Sequence, residues 1–432
     1  VQLGGQTPLK IANELDNSGI KILGTSVDAI DLAEDRDRFQ KLIVSLKLKQ
    51  PTNDVAKSKI EAHKICEKIG FPIVIRPSYV LGGRAMEVIH NINQLDKYIN
   101  EAVRVSGKNP VLIDQFLKNA MEVDVDAISD GEDIFIAGIM EHIEEAGIHS
   151  GDSACVLPPQ NISNQMLNDI RNQTKIIAKS LKVKGFMNIQ FAIKNNELFI
   201  LEVNPRGSRT IPFVAKATGH PLVKYACQIM VGRSIKELKL KENNIKHVCV
   251  KEAVFPFARF PGTDIILGPE MKSTGEVMGI DKDFELAFYK SQLASNIPLP
   301  QKGKIFISIK DDDKVKIIDP AKSLVTFGFE LIATRGTSNF LKNNKIPCET
   351  VKKVFEGRPN IVDLMISNEI GLVINTVEGL KSIEDSFSLR QTALLNNIPY
   401  YTTIQGAIAV ASSIKSVINN KIDVHSLQSY LN

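Results

Sequence analysis

Between Gly185 and Arg209 the chain reads GFMNIQFAIKNNELFILEVNPRGSR, and this stretch constrains the fold more than any other. Ile189, Phe191 and Ile193 alternate with Asn188, Gln190 and Ala192. Beyond Asn195-Asn196, Phe199, Leu201 and Val203 alternate with Ile200, Glu202 and Asn204. Alternation with period two on both sides of a turn signal predicts a half-buried antiparallel hairpin. To lie on one face, the two apolar triplets need opposed residues with an even index sum. That predicts a three-residue loop, Asn195-Asn196-Glu197. Gln190 then faces Glu202 and Asn188 faces Asn204, whereas a one-residue slip would turn Glu202 into the core. One carboxylate with amide oxygens suits a hard cation such as Mg²⁺ beside substrate phosphates. Arg206 and Arg209, just past the strand, suit phosphate oxygens. A surface hairpin with a solvated polar face accounts for the same pattern, so both readings stand at this point.

The 432 residues allow about two to four domains. With 53 basic and 49 acidic residues the net charge is only +4, and no long basic tract occurs, so nucleic-acid binding is not expected. Apolar runs fall short of a membrane span and no secretory signal is visible, so no membrane association is expected. The five cysteines, Cys66, Cys155, Cys227, Cys249 and Cys348, are scattered without a C-x-x-C, which predicts a reduced, cytoplasmic protein. The chain starts at Val1 in a strand-like run leading into Gly4-Gly5, as expected of a piece of something longer.

Taken in order, residues 1–50 predict a partial α/β unit, with strand-like pieces at Val1–Leu3 and Ile20–Gly24. A helix ending at Ile69 and Gly70 leads into a buried strand from Phe71 to Pro77. Gly82-Gly83 follows, flanked by Arg76 and Arg84. A plain hairpin turn and a flap over nucleotide phosphates both fit it. No G-x-x-x-x-G-K-[ST] is present, which excludes a P-loop. Val111–Phe116 is a strand, and Glu122, Asp124 and Asp126 share one face of the next. The default for such a row is solvation; the alternative is that Glu122 grips ribose hydroxyls while the backbone of 114–117 reads an adenine edge. Gly138–Pro159 reads as a glycine-punctuated loop carrying Glu141, His142, Glu144, Glu145, His149, Ser150 and Asp152, a density that points to function. A lone histidine such as His149 is by default a hydrogen-bonding structural residue. An amphipathic helix is expected over 161–182 and another near Leu222–Met230, and Pro298–Gly303 is the best linker. Beyond it, strands at 304–309, 329–333, 347–351 and 371–375 alternate with helices near 319–327, 337–344, 360–368 and 405–416, a parallel α/β pattern. Thr334–Thr337 and Asn375-Thr376 sit at strand C-ends with Lys314 and Lys353 nearby. Helix capping explains these residues by themselves; a phosphate-bearing effector is the alternative.

GGQTPLK (4–10), RPSYVLGGRAME (76–87), MEHIEEAGIHSGDSA (140–154), EVNPRGSRT (202–210), GPEMKSTGEVMG (268–279) and EGRP (356–359) together resemble the second half of the large chain of carbamoyl-phosphate synthase. The resemblance covers nearly the whole chain. It implies α/β and α+β architecture: a partial Rossmann-like pre-ATP-grasp domain (1–38), an ATP-grasp domain (39–232), a closing segment (233–297) and a methylglyoxal-synthase-like allosteric domain (298–432). It implies a ligase that phosphorylates carbamate with ATP, within glutamine-dependent carbamoyl phosphate synthesis for pyrimidine and arginine biosynthesis. By the same resemblance Arg76, Gln115, Leu117, Glu122, Gly147, Ile148, His149, Ser150, Gln190 and Glu202 hold the nucleotide. Gln190, Glu202 and Asn204 hold Mg²⁺ or Mn²⁺. Arg206, Arg209 and Asn204 serve the transferring phosphoryl group and the carbamate. Lys314, Thr334, Thr337, Lys353 and Asn375 match contacts to a pyrimidine nucleotide, and Glu144, Asp152, Glu252 and Thr402 match an ornithine site. Gln115 replaces a familiar His, and Val377 an expected Thr. The implied partners are the missing N-terminal synthetase half and a glutaminase small chain. Competing expectations are another ATP-grasp carboxylate-amine ligase, which would not ordinarily carry 298–432, and a non-catalytic regulatory half, against which the intact Gln190, Glu202, Asn204 set speaks.

Overall fold

The computed structural model describes the chain except residues 6, 78–84, 107–109, 261 and 432, with backbone alone for 77, 101–106, 258 and 380. The expected Gly82-Gly83 flap and Arg84 lie outside the described residues. Among the described residues, strands form three sheets of four, seven and five.

The seven-stranded sheet is antiparallel throughout and runs, edge to edge, Gly275–Asp281, Val248–Val254, Cys155–Leu157, Ile134–Glu145, Met121–Asp130, Lys184–Lys194 and Glu197–Asn204. Helix Asn164–Ser180 covers one face. Ser163 Oγ caps it by accepting from the Met166 amide at 3.2 Å. Met166, Ile170 and Ile177 from this helix, with Phe39 and Ile43 from Arg36–Ser45, pack on Val123, Val125, Ile189, Phe191, Leu198, Ile200 and Val203. Emptying such a position, as in Ile177→Ala, costs about 2–5 kcal/mol.

The hairpin departs from expectation in an instructive way. Its loop is two residues, Asn195-Asn196, both at positive φ (51° and 62°), the geometry that fits a twisted hairpin and that asparagine tolerates. Near the turn the pairing is Phe191 with Ile200, an odd sum. A bulge between Gln190 and Phe191 then restores Gln190 opposite Glu202 and Asn188 opposite Asn204. The extra residue is Leu201. In consequence Leu198, Ile200 and Val203 face the helix, while Phe199 and Leu201 pack with Leu117, Ala120, Ala146 and Ala192 on the other side. The expected core triplet is corrected to this set.

Two further corrections concern the flanks. No strand forms among the described residues of 1–50: those segments have no ladder partner, and the buried Gln2 side chain ties them down instead, donating to Thr25 Oγ1 (2.6 Å) and Lys184 O (3.1 Å) and accepting from the Phe186 amide. Glu141–Glu145 belong to a strand, because it pairs on into the edge of Cys155–Leu157; the loop is confined to residues 146–154.

The four-stranded sheet (Asn53–Ala56, Val111–Gln115, Ile73–Pro77, Glu87–Ile89) carries its own small core with helices Lys59–Ile69 and Ile92–Ser106. The five-stranded sheet is parallel, in the order Glu349–Val351, Phe329–Thr334, Gly303–Ser308, Ile370–Asn375, Tyr400–Tyr401. Helices Ile318–Thr326 and Ile404–Asn419 pack on one face of it, and Ile361–Ile366 with Phe387–Leu395 on the other. The first of these cores is continuous with Val156, Val248, Val250 and helix Phe284–Ala294, so the parallel unit is seated on the seven-stranded sheet.

Candidate functional site

On the seven-stranded sheet, the face away from helix Asn164–Ser180 carries three cross-strand rows. They are Glu122, Ala192 and Phe199; Asp124, Gln190 and Glu202; Asp126, Asn188 and Asn204. The first row lies beside the apolar cluster of Leu117, Ala146 and Leu201. Below the third, Ile128 and Phe186 enter another apolar core. A band of oxygen-bearing side chains is thus held between two dry patches. Above it opens a cleft of about 420 Å³ whose opposite wall is Val74, Arg76 and residues 114–117.

Among the described residues, those expected from the resemblance to contact nucleotide, cation or phosphoryl group all line this cleft: Arg76, Gln115, Leu117, Glu122, Gly147, Ile148, His149, Ser150, Gln190, Glu202, Asn204, Arg206 and Arg209. Gln190 Nε2 donates to Ser150 Oγ at 2.8 Å, and Asn204 Nδ2 to Glu202 Oε1 at 2.8 Å. With their amide N–H groups so engaged, both side chains are held in fixed orientation. Arg206 Nη2 reaches Asn204 Oδ1 at 3.2 Å. Arg209 contacts Met271 and lies 3.7 Å from Glu276. Arg76 Nη2 and Arg206 Nε are buried donors without a hydrogen-bond partner among the described residues. Such orphaned groups typically cost about 1–3 kcal/mol unless a ligand satisfies them, and both are cationic donors that match anionic oxygen.

In the acidic row on Met121–Asp130, Asp124 and Asp126 are buried and Glu122 is mostly so, contrary to the default of a solvated face. Burial pushes Glu122 up to about 7, although His142 and the Gly147 amide oppose the shift. Asp126 is pushed up to about 6 by burial, against hydrogen bonds from Thr210, Asn188 and Ser208. Burial also lowers the His149 pKa. Its Nδ1 accepts from the Gly151 amide at 3.0 Å, which leaves Nε2 to carry the proton, and its own amide donates to Gly268 O at 2.8 Å. His142 Nε2 lies 3.0 Å from Asp124 and Nδ1 3.7 Å from Glu122, so this histidine braces two carboxylates of the array.

Sequence reasoning missed several cleft residues. Glu276 and Met271 stood within GPEMKSTGEVMG but carried no separate signal, and Arg36 and Asn53 gave none. Lys251, fully buried, donates Nζ to the Ser150 carbonyl at 3.0 Å.

The remaining expected residues lie elsewhere. Glu144 and Glu252 come together beneath Gln292 and Tyr401: Gln292 Nε2 donates to Glu252 at 2.5 Å, and Tyr401 OH donates to Gln292 Oε1 at 3.0 Å. Burial, then the charge of Glu144, pushes Glu252 up to about 8. Thr402 is half-buried next to Tyr401. Both Asp152 oxygens accept from backbone amides, of Lys272 (2.8 Å) and Ser273 (2.9 Å). Thr334, Thr337 and Asn375 meet at the C-ends of the parallel strands. There Thr337 Oγ1 accepts from the Ile309 amide (3.0 Å), Asn375 Nδ2 donates to Tyr400 OH (2.6 Å) and Thr334 Oγ1 is 3.2 Å from Ser308 Oγ. Lys314 pairs with Asp311 at 2.6 Å, and Lys353 is exposed over Phe355.

A four-stranded unit facing an antiparallel sheet across a polar cleft is the ATP-grasp architecture. Solved structures agree at the level of fold: a Hydrogenobacter thermophilus 2-oxoglutarate carboxylase biotin carboxylase domain, solved with MgADP, ADP and bicarbonate, matches 66% of this chain and 70% of that one at TM-score 0.54 and 17% identity. N5-carboxyaminoimidazole ribonucleotide synthetase from Thermus thermophilus matches 68% and 79% at TM-score 0.53 and 15% identity. Residues 35–238 match the family model of the carbamoyl-phosphate synthase L chain ATP binding domain, and residues 316–402 that of the MGS-like domain. The carbamoyl phosphate synthase large chain, C-terminal section, of Aquifex aeolicus (strain VF5) is 50% identical over 454 residues, covering 100% of this chain and 84% of that protein. The chain belongs to the carbamoyl phosphate synthase large-chain family. Against the large chain of Myxococcus xanthus (strain DK1622) it is 53% identical across its whole length, yet spans only 40% of that relative. No helix among the described residues is long and apolar enough to cross a membrane.

Proposed function

We propose that the cleft binds ATP with a divalent cation and transfers the terminal phosphoryl group to carbamate, giving carbamoyl phosphate and ADP. The observation that carries this reading is the row of Asp124, Gln190 and Glu202 beside Asn188 and Asn204, with Arg206 and Arg209 at its rim. The donor set is hard oxygen from Glu202, Gln190 and Asn204, which fits Mg²⁺ or Mn²⁺. A cation bound there supplies positive charge that offsets the phosphate oxygens.

The apolar end, Leu117, Ala146 and Leu201, takes the adenine, with the backbone at 115–117 along its polar edge. Glu122 accepts from ribose hydroxyls. Arg76 Nη2 finds phosphate oxygen, and His149, neutral and protonated at Nε2, donates towards the same chain of phosphates. Arg206 and Arg209 hold carbamate and the migrating group in line. A carbamate oxygen bonds to the terminal phosphorus while the bond to the bridging oxygen breaks. ADP leaves with that electron pair, and no proton moves. The work is positioning and charge neutralisation, so no nucleophilic side chain is needed.

The relatives' greater length supports the further reading that an N-terminal synthetase half supplies the carbamate; a glutaminase small chain, a cytoplasmic location and a role in pyrimidine and arginine synthesis are proposed with it. The Glu144–Glu252 pair with Asp152 and Thr402 is the proposed ornithine site, and the strand ends bearing Thr334, Thr337 and Asn375, with Lys314 and Lys353, the pyrimidine-nucleotide site. The domain limits 1–38, 39–232, 233–297 and 298–432 are proposed alongside. The deciding experiment is ATP formation from carbamoyl phosphate and MgADP. Wild-type activity well above Glu202→Ala supports the reading, and activity equal to that variant's background overturns it.

A further inference from the structure

Arg390 is the largest fully buried side chain of the parallel domain, 0% exposed on helix Phe387–Leu395. A buried guanidinium is tolerated only when its charge and donors are matched. Ser386 Oγ (2.6 Å) and Ile383 O (2.9 Å) take two bonds from within the domain. The charge is matched from outside: Nε and Nη2 reach Asp264 Oδ1 and Oδ2 at 2.6 and 2.5 Å, a two-pronged grip. The next residue, Gln391, donates to Thr263 O at 2.6 Å. Asp264 belongs to the segment 262–274, which runs back to the cleft.

That segment is braced along its length. Lys272 Nζ donates to Asp264 O (3.1 Å) and Ile266 O (2.7 Å), so the anchor and the far end of the segment are tied through one side chain. Gly268 O accepts the His149 amide, Pro269 and Met271 line the cleft, and Asp152 accepts from the Lys272 and Ser273 amides. From the parallel domain to His149 the chain of contacts is unbroken.

We infer that Arg390 is a positioning residue for the cleft: through Asp264 and segment 262–274 it fixes the wall formed by Pro269 and Met271 and the backbone of His149. The parallel domain thereby becomes a structural part of the nucleotide site rather than an appendage to it. This inference rests on the nucleotide reading of the cleft for its kinetic consequence, but not for its structural one. A coupling carried through packed and hydrogen-bonded contacts of this kind corresponds to about two- to thirtyfold in affinity.

The test uses the full chain with Arg390→Met, Asp264→Asn and the double variant. Three readouts apply: amide hydrogen exchange of peptides spanning 262–274, affinity for a fluorescent mant-ADP with Mg²⁺, and carbamoyl-phosphate-dependent ATP formation. Each single variant is expected to exchange faster in 262–274 and at His149, with exchange in helix Leu222–Met230 unchanged. Affinity for mant-ADP falls about three- to tenfold and the KM for MgADP rises in step, while kcat stays within about twofold. The double variant resembles the singles instead of doubling their effect. Should Arg390→Met fail to fold, Asp264→Asn, on an outer loop, decides alone. Folded variants with wild-type exchange and nucleotide affinity overturn the inference. If the wild type forms no ATP, the functional reading falls, whereas exchange and mant-ADP binding still judge the positioning role.

Discussion

The cleft and the C-ends of the parallel sheet are both places where β-strands deliver polar side chains to one point, yet they are built oppositely. In the parallel domain Thr337, Asn375, Thr376 and Ser308 satisfy one another or nearby backbone, and Lys314 already holds Asp311. In the cleft Arg76 Nη2 and Arg206 Nε are left without partners among the described residues, and the acids of Met121–Asp130 are buried beyond their comfort. A region whose polar groups are consumed is stabilised by them. A region whose polar groups face a cavity carries a cost that ligand binding offsets.

The sharpest contrast is kinetic. Glu202→Gln keeps the shape of the side chain but removes its charge, and is expected to lower kcat for ATP formation about 10²–10³-fold, by analogy with losing one preorganised electrostatic group. Its thermal midpoint is expected to match the wild type. Steady-state kinetics with parallel melting curves check this, and a melting point that falls with the rate would break the comparison. Arg76→Met should weaken MgADP binding about 10–100-fold, the range of a hydrogen bond to a charged group, without lowering stability, because the unsatisfied donor goes with it. Calorimetric titration measures the first and denaturant unfolding the second.

On the other side of the comparison, Thr337→Val strands the Ile309 amide and should cost about 1–3 kcal/mol of stability, with the KM for MgADP unmoved. The smallest expected effect concerns pH. Glu252 is an acid whose pKa burial and Glu144 raise to about 8. Between roughly pH 4.5 and 8 the folded chain holds a proton there that the unfolded chain has released, so stability from this group falls as pH rises through that window. Glu252→Gln should therefore flatten the decline in melting temperature between pH 6 and 8. A variant with the wild-type slope would assign that slope to other groups.

How much of this was legible beforehand differs by region for physical reasons. In the parallel domain alternation of strands and helices is enough, because each βα unit is local: the helix expected near 405–416 is Ile404–Asn419 and the strand at 329–333 is Phe329–Thr334. The facing of Gln190 and Glu202 was also legible, though by a parity argument that the structure replaces. Leu198, Phe199, Ile200 and Leu201 are all apolar, so the sequence has no preference for where the register shifts; packing of Ile200 and Val203 on helix Asn164–Ser180 decides it. The depth of Glu122 and Asp124 could not be read from alternation, which looks the same whether a face meets water or a cleft. Lys251 and Arg390 were invisible for a related reason: a buried cation is defined by partners far away in sequence, Ser150 and Asp264.

In the proposed reading the Gln190–Glu202 face holds a divalent cation together with nucleotide phosphates. Electron paramagnetic resonance of Mn²⁺ titrated with a non-hydrolysable ATP analogue tests it directly. The account predicts that the wild-type chain immobilises Mn²⁺ when the analogue is present and that Glu202→Ala does not. Equal Mn²⁺ immobilisation by both would contradict it.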